Sequence, residues 1–332
     1  MNMHSLVQRM WSRRGPFSTV LLPLSALYCT VARRRRRRFL AAPPPSLPVP
    51  VIIVGNITVG GTGKTPLTIA LCEWLRAHGW RPGVISRGYG GCGAASPRQV
   101  REDSAPEEFG DEPLLIARRT GAAVVVCKDR REAARHAMLQ GCDILLADDG
   151  LQHYRLPRDI EIAMLDGYRR LGNGRCLPAG PLREPPERLR EVDFVMVTEG
   201  TAHPGEYALG LTFGSAWSLG ETARHRALAE FSASPVHAVA GIGHPERFFT
   251  ALEEAGLRVI RHSYPDHHPF SAADLDFGDR LPVLMTEKDA VKCLKLPFDN
   301  LWAVPITVEL PPAFTHALAE RLRTLRHGQE TA

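Results

Sequence analysis

Apolar positions fall in short blocks divided by polar and glycine-rich stretches, and the block at 49–54 closes on Gly55 as a short buried strand would. The next block has helical spacing. Ile69, Leu71, Trp74 and Leu75 line one side of a helix expected over 65–78, with Gly79 as its stop. Further strands are expected at 82–86, 122–127, 143–147, 160–165 and 193–197, and helical stretches at 112–119 and 130–140. Alternation of this kind implies an α/β fold of the P-loop NTPase type, a mainly parallel sheet with helices on both faces. Ligands should then gather at the carboxyl ends of the strands.

After about residue 221 the pattern starts afresh as a second, smaller α/β unit. It holds a strand at 235–240, the turn Gly241-Ile242-Gly243, a helix over 245–255 between Pro245 and Gly256, and a strand at 283–285. That last strand leads to Thr286-Glu287-Lys288-Asp289. Lys288 and Lys292 could bind phosphate, but on an exposed helix they read as solvated charges.

The N-terminus obeys neither pattern. Residues 15–32 carry no charge, while Arg13 and Arg14 precede them and Arg33 to Arg38 follow. A helix of that length reaches about 27 Å, just short of a hydrocarbon core, and Pro23 interrupts it. Six arginines after the apolar stretch oppose export, which disfavours a cleaved signal peptide. The expectation is a membrane anchor over 1–38, lying in or across the inner leaflet with the rest cytoplasmic. A buried core helix is the alternative. A stiff proline-rich connector follows at 39–48, then a core domain at 49–220 and a smaller domain at 221–332 that closes a cleft.

Composition sharpens this. With 332 residues, 44% hydrophobic and 23% charged, the chain has enough apolar content for one large core or two smaller ones. The net charge of +5 includes the arginine run, and without those six charges the remainder stands at −1. The basicity is a local patch beside an apolar segment, which suits anionic lipid head groups and not a nucleic-acid groove. Seven scattered cysteines with no C-x-x-C pair argue against a zinc site or disulfide framework. A monomer is expected.

The chemistry is densest after the first strand. Thr58, Val59, Gly60, Gly61, Thr62, Gly63, Lys64 and Thr65 form a glycine loop between strand and helix. Glycines let backbone N–H groups converge on phosphate oxygens, Lys64 neutralises the β- and γ-phosphates, and the Thr65 hydroxyl can ligate magnesium. Thr58 stands where the usual pattern has glycine. The strand at 143–147 delivers Asp148 and Asp149, candidates to hold magnesium directly or through water, although such a pair can also cap a turn. His153 lies four residues beyond Asp149. Asp111, in Gly110-Asp111-Glu112-Pro113, reads equally as a helix N-cap or as a carboxylate that accepts the proton of an attacking hydroxyl.

Seven motifs in one order resemble the tetraacyldisaccharide 4′-kinase family of lipid A synthesis. They begin at Thr58, Ser86, Gly110, Asp148, Leu177, Asp266 and Thr286, and the likeness runs to about Leu310. It implies ATP on Thr62, Gly63, Lys64 and Thr65, and Mg2+ at Asp148 and Asp149 with Gln152 and His153 nearby. It also implies Asp111 as the base, paired with His267 in preference to His268. Arg87, Tyr89, Arg183 and Glu184 take positions attributed to the active-site cleft. The implied reaction passes the ATP γ-phosphate to the 4′-hydroxyl of a tetraacyldisaccharide 1-phosphate, at the cytoplasmic face of the bacterial inner membrane. A partitioning or switch nucleotidase is the rival reading. Such ATPases usually carry lysine at the place of Val59, and Thr286-Glu287-Lys288-Asp289 does not match the GTPase Asn-Lys-x-Asp spacing.

Overall fold

A computed structural model describes residues 10–220 and 224–330, without side-chain detail for 327–330. The expected boundary at residue 221 falls on residues outside that description, as do residues 1–9 of the expected anchor.

The strand that feeds the glycine loop, β1 (Val51–Gly55), sits at the centre of a nine-stranded sheet. Its side chains alternate between two cores. Ile52 and Val54 face one, with Leu67, Leu71 and Leu75 of the helix Lys64–Ala77, while Val51 and Ile53 face the other, with Ala133, Ala137 and Leu145. Burial on both faces is the condition of a parallel strand covered by helices, and it explains the unbroken apolar run. β5 (Ile144–Ala147) and β6 (Ile160–Asp166) flank β1 in parallel. Beyond β5 come β2 (Pro82–Ser86), β4 (Ala123–Val126) and the antiparallel edge strand β3 (Arg98–Val100). Beyond β6 come β7 (Phe194–Thr198) and β8 (Tyr207–Phe213).

The smaller unit has its own six-stranded sheet. Four parallel strands, β11 (Val236–Ala240), β12 (Val259–Ser263), β13 (Val283–Thr286) and β14 (Leu301–Val304), are extended by β9 (Ala216–Ser218) and β10 (His225–Arg226). The chain does not end there. β15 (Ile306–Glu309) returns to pair antiparallel with β8, and the helix Pro312–Glu330 packs Phe314, Leu318 and Leu322 into the core of the large sheet. The 221–332 domain is therefore corrected: the smaller unit is an insertion that ends near Val304. Local pattern could not reveal this, because a returning edge strand and helix look like any others until their partners are known.

The bounds of the N-terminal elements are corrected too. The apolar stretch is broken at Leu21 into Pro16–Val20 and Leu22–Ala41, with Pro23 in the first turn of the second helix, where its missing N–H costs nothing. That helix runs through all six arginines, so the connector begins at Ala42 and not at residue 39. Among the described residues no helix is long and apolar enough to cross a membrane. Small polar residues dock the helices: Ser18 Oγ donates to Ala179 O at 2.7 Å and Ser25 Oγ to Cys176 O at 2.7 Å. Phe17, Val20, Leu24 and Leu27 are left outward, Val20 being 77% exposed. Nor do all the arginines face solvent. Arg36 turns inward to Glu191 at 2.8 Å, beneath the rings of Phe39 and Tyr154.

Phe314 tests the return of the C-terminal helix. It is fully buried, 5.1 Å from Phe194 and 5.6 Å from Tyr207 between ring centroids. Phe314→Ala is expected to cost about 3–5 kcal/mol in urea unfolding of the whole chain. A loss of a few tenths would detach this helix from the large core.

Candidate active site

Two segments fix the glycine loop. Val59 N donates to Pro181 O at 2.8 Å and Thr58 bridges Leu182, so the stretch after Leu177 forms one wall of the nucleotide site. Gly63, at φ 78°, opens the helix Lys64–Ala77 and is followed by Lys64 and Thr65 at its N-terminus, where backbone N–H groups and the helix dipole favour phosphate. Lys64 Nζ stands 3.6 Å from Asp149 and 3.5 Å from Asn56 Oδ1. The Thr62 hydroxyl is buried without a hydrogen-bond partner.

The acidic turn after β5 splits into two environments. Asp149, at φ 49°, faces the loop and accepts from Arg183 at 3.1 Å. Burial opposes its charge, but Lys64 and Arg183 outweigh that and hold its pKa below the usual carboxylate range. Asp148 is 2% exposed and accepts from Thr68 Oγ1 at 3.3 Å. Burial, with Glu112 nearby, pushes its pKa up to about 7. Arg130 braces the turn from behind, donating to the carbonyls of both aspartates at 2.9 Å. A buried carboxylate short of positive charge suits a cation. Among the described residues no group of three or more His, Cys, Asp or Glu could hold a metal by itself. Magnesium at Asp148 and Thr65 would therefore complete its shell from phosphate and water, as this ion commonly does.

Gln152 Nε2 donates to Asn56 O at 3.0 Å and lies 3.3 Å from Glu184, which also accepts from Tyr154. His153 is buried enough that its pKa falls to about 4, leaving it neutral.

The other wall comes from the smaller unit. His267 Nδ1 lies 3.0 Å from Asp111 Oδ2 and 3.1 Å from Oδ1, whereas His268 is 3.5 Å from Asp274. The ring of His267 lines the cleft, and the Asp111 carboxylate behind it is 3% exposed. His267 adopts φ 62°, a strained conformation that functional sites tolerate when their surroundings over-determine it. Here the surroundings are His267 N on Gly241 O at 3.2 Å, the Tyr89 ring edge, and Gly90. Gly90 sits at φ 85°, a conformation that favours glycine, and a Cβ there would also stand 3.3 Å from His267 Nδ1. Arg87 lines the same cleft, whose volume is about 2130 Å³.

Lys288 corrects an expectation. It is not a solvated charge: its ammonium lies 3.1 Å from Glu112, 3.4 Å from Asp266 and 3.5 Å from His267 Nε2. Lys292 likewise pairs with the fully buried Asp289 at 2.8 Å. Their helix, Glu287–Cys293, packs against the helix Asp111–Thr120 instead of facing water.

Residues 17–323 match the family described as tetraacyldisaccharide-1-P 4′-kinase. The chain is 50% identical to tetraacyldisaccharide 4′-kinase of Nitrosococcus oceani over 320 residues, 93% of this chain and 92% of that one. It is 50% identical to that of Stenotrophomonas maltophilia, over 95% and 96% respectively. The chain belongs to the tetraacyldisaccharide 4′-kinase family. A crystal structure of Aquifex aeolicus LpxK in complex with ATP superposes with a TM-score of 0.78 at 28% identity, covering 92% of this chain and 99% of that one.

Pattern reading of this family member missed four residues beside the loop: Asn56, Asp166, Arg169 and Arg247. Asp166 carried a legible signal, since it ends the strand expected at 160–165, at the carboxyl edge where ligands collect.

The Asp111–His267 pair has a measurable signature. The hydrogen bond to Asp111 raises the His267 pKa, against burial and Lys288. Burial alone would raise that of Asp111, but His267 and Lys288 lower it. The His267 contribution to stability is therefore complete below its unfolded pKa of about 6.5 and fades as pH rises through its higher folded value. In an NMR titration, Asp111→Asn is expected to bring the His267 midpoint down, because burial and Lys288 are then opposed only by Asp266. An unchanged midpoint would mean the two side chains do not pair in solution.

Proposed function

We propose that this chain is an ATP-dependent lipid sugar kinase that transfers the γ-phosphate of ATP to the 4′-hydroxyl of a tetraacyldisaccharide 1-phosphate. One observation carries the reading. A phosphate loop, an acidic turn and a paired Asp–His wall line or border a single cleft, and Tyr28, Val31 and Arg35 of the N-terminal helix line the same cleft.

The roles follow from the geometry. The N–H groups of Gly60 to Thr65 and the Lys64 ammonium hold the β- and γ-phosphates, while Asp149 and Arg183 keep that ammonium aimed at the loop. Magnesium, held by Thr65 and Asp148 with Asp149 close by, would neutralise charge on the phosphates. Asp111 and His267 act as one unit that takes the proton of the 4′-hydroxyl as its oxygen bonds to the γ-phosphorus. The bond to the β-phosphate oxygen breaks, ADP leaves, and the proton passes to solvent. Proton removal in a loose transfer is late and light, so the lowered pKa of Asp111 is no obstacle. Arg87, Tyr89, Gln152, His153 and Glu184 shape the cleft around acceptor and nucleotide.

The purified chain, given labelled ATP and the acceptor lipid, is expected to yield labelled lipid, with Lys64→Ala slower by about 10²-fold or more. Absence of labelled product from the wild type would end the kinase reading. Asp111→Ala combined with His267→Ala should be barely slower than Asp111→Ala alone. Fully additive losses would separate the pair.

The membrane reading rests on the outward apolar row and the arginines beside it. Phe17, Val20, Leu24 and Leu27 face away from the body, and Arg34, Arg35, Arg37 and Arg38 are exposed beyond them. An in-plane helix with both signals suits the cytoplasmic face of the inner membrane. Val20→Asp/Leu24→Asp/Leu27→Asp should release the protein from anionic vesicles in a flotation assay without moving its melting temperature. Full retention on vesicles would assign attachment elsewhere.

A further inference from the structure

Asp166 closes β6 at the mouth of the nucleotide cleft and is 2% exposed, yet it holds two guanidinium groups. Its Oδ2 accepts from Arg169 Nε at 2.6 Å and from Arg247 Nη2 in a closer contact. The two arginines are engaged to different degrees. Arg169 is fully committed to the loop: Nη2 donates to Gly61 O at 2.7 Å, Nη1 meets the His244 ring, and the same Nη1 would stand 3.3 Å from a Cβ on Gly60. Arg247, in the first turn of the helix Pro245–Glu254, belongs to the smaller unit. It is held through Nη2 alone, on Asp166 and, at 3.4 Å, on Glu199, and it is about one-third exposed to the cleft.

One carboxylate fixes one guanidinium well. A second is tethered across the cleft by a single nitrogen, Nη2, which both edges of the guanidinium fork share, so Arg247 can grip an anion bidentately only by leaving Asp166 and Glu199. The glycine loop supplies the complementary demand. Its second position is Val59, so the loop brings no cation of its own besides Lys64. Phosphoryl transfer spreads negative charge over the three equatorial oxygens of the moving group, and a guanidinium delivered from a second element is a strong stabiliser of that charge.

We propose that Arg247 is a catalytic residue, a guanidinium delivered within the chain that moves from Asp166 and Glu199 onto the terminal phosphate of ATP. Asp166 keeps it at the mouth of the cleft, beside the Arg169 that contacts Gly60 and Gly61, until nucleotide arrives. The smaller unit thereby senses whether the loop holds a triphosphate or a diphosphate. The proposal rests on the nucleotide reading of the loop.

Calorimetry with ADP and with a β,γ-methylene analogue of ATP, together with steady-state kinetics, tests it on the full chain. Arg247→Ala is expected to bind ADP as the wild type does, to bind the analogue roughly 10-fold more weakly, and to lose about 10²-fold or more in kcat with the acceptor KM unchanged. Arg247→Lys should recover part of kcat, since it keeps the charge and loses the fork. Equal weakening of both nucleotides, or of neither, would reduce Arg247 to a latch between the units. A raised acceptor KM at constant kcat would give it to the acceptor's own phosphate and overturn the proposal. Lys64→Ala is the control for the loop. If that variant binds both nucleotides normally, the nucleotide assignment fails whatever Arg247 does.

Discussion

Val51–Gly55 is buried on both faces and paired on both edges, so the loop it feeds cannot shift without opening two cores at once. Every charge in the cleft is set relative to that fixed point. Lys64 leaves the loop toward Asp149, Asp149 is braced by Arg183, and Arg183 belongs to the segment that staples the loop through Pro181. The circuit is closed and local. It keeps a partly buried ammonium and a carboxylate in mutual register before any phosphate enters, which is the preorganisation that electrostatic catalysis needs.

The opposite wall is built from a different element and stabilised differently. His267, Lys288 and Arg247 come from three segments of the smaller unit, and each meets an acid of the large one, Asp111, Glu112 or Asp166. Ion pairs of this kind fix register across a cleft while contributing little apolar burial. They can also be exchanged for contacts to an anionic ligand. The site thus joins one rigid wall to one exchangeable wall.

Local chemistry made much of this legible. The glycine loop and the acidic turn each sit at a strand end, and period and punctuation mark strand ends well, whereas the Asp–His partnership was legible only through the family resemblance. Pairing over distance was not legible. Arg36 looks like its five neighbours in sequence, and only the placement of Glu191 and Tyr154 turns it inward. Lys288 looked solvated because a seven-residue helix gives no sign of what covers it. The return of β15 to β8 escaped for the same reason, and with it the true extent of the smaller unit.

That return bears on how the chain is made. The large sheet draws strands from both sides of the insertion, and Phe314, Leu318 and Leu322 fill a core begun by Ile52 more than 250 positions earlier. A chain emerging from the ribosome in order can complete the smaller unit while the larger still lacks an edge strand and a helix. Until β15 and the helix after it are free, β8 presents an unpaired edge and the core beneath it stays open. Synthesis therefore carries a vulnerable interval that lasts until β15 and the helix Pro312–Glu330 have emerged, and a chain cut short after Val304 would hold nearly every cleft residue described here on an unfinished sheet.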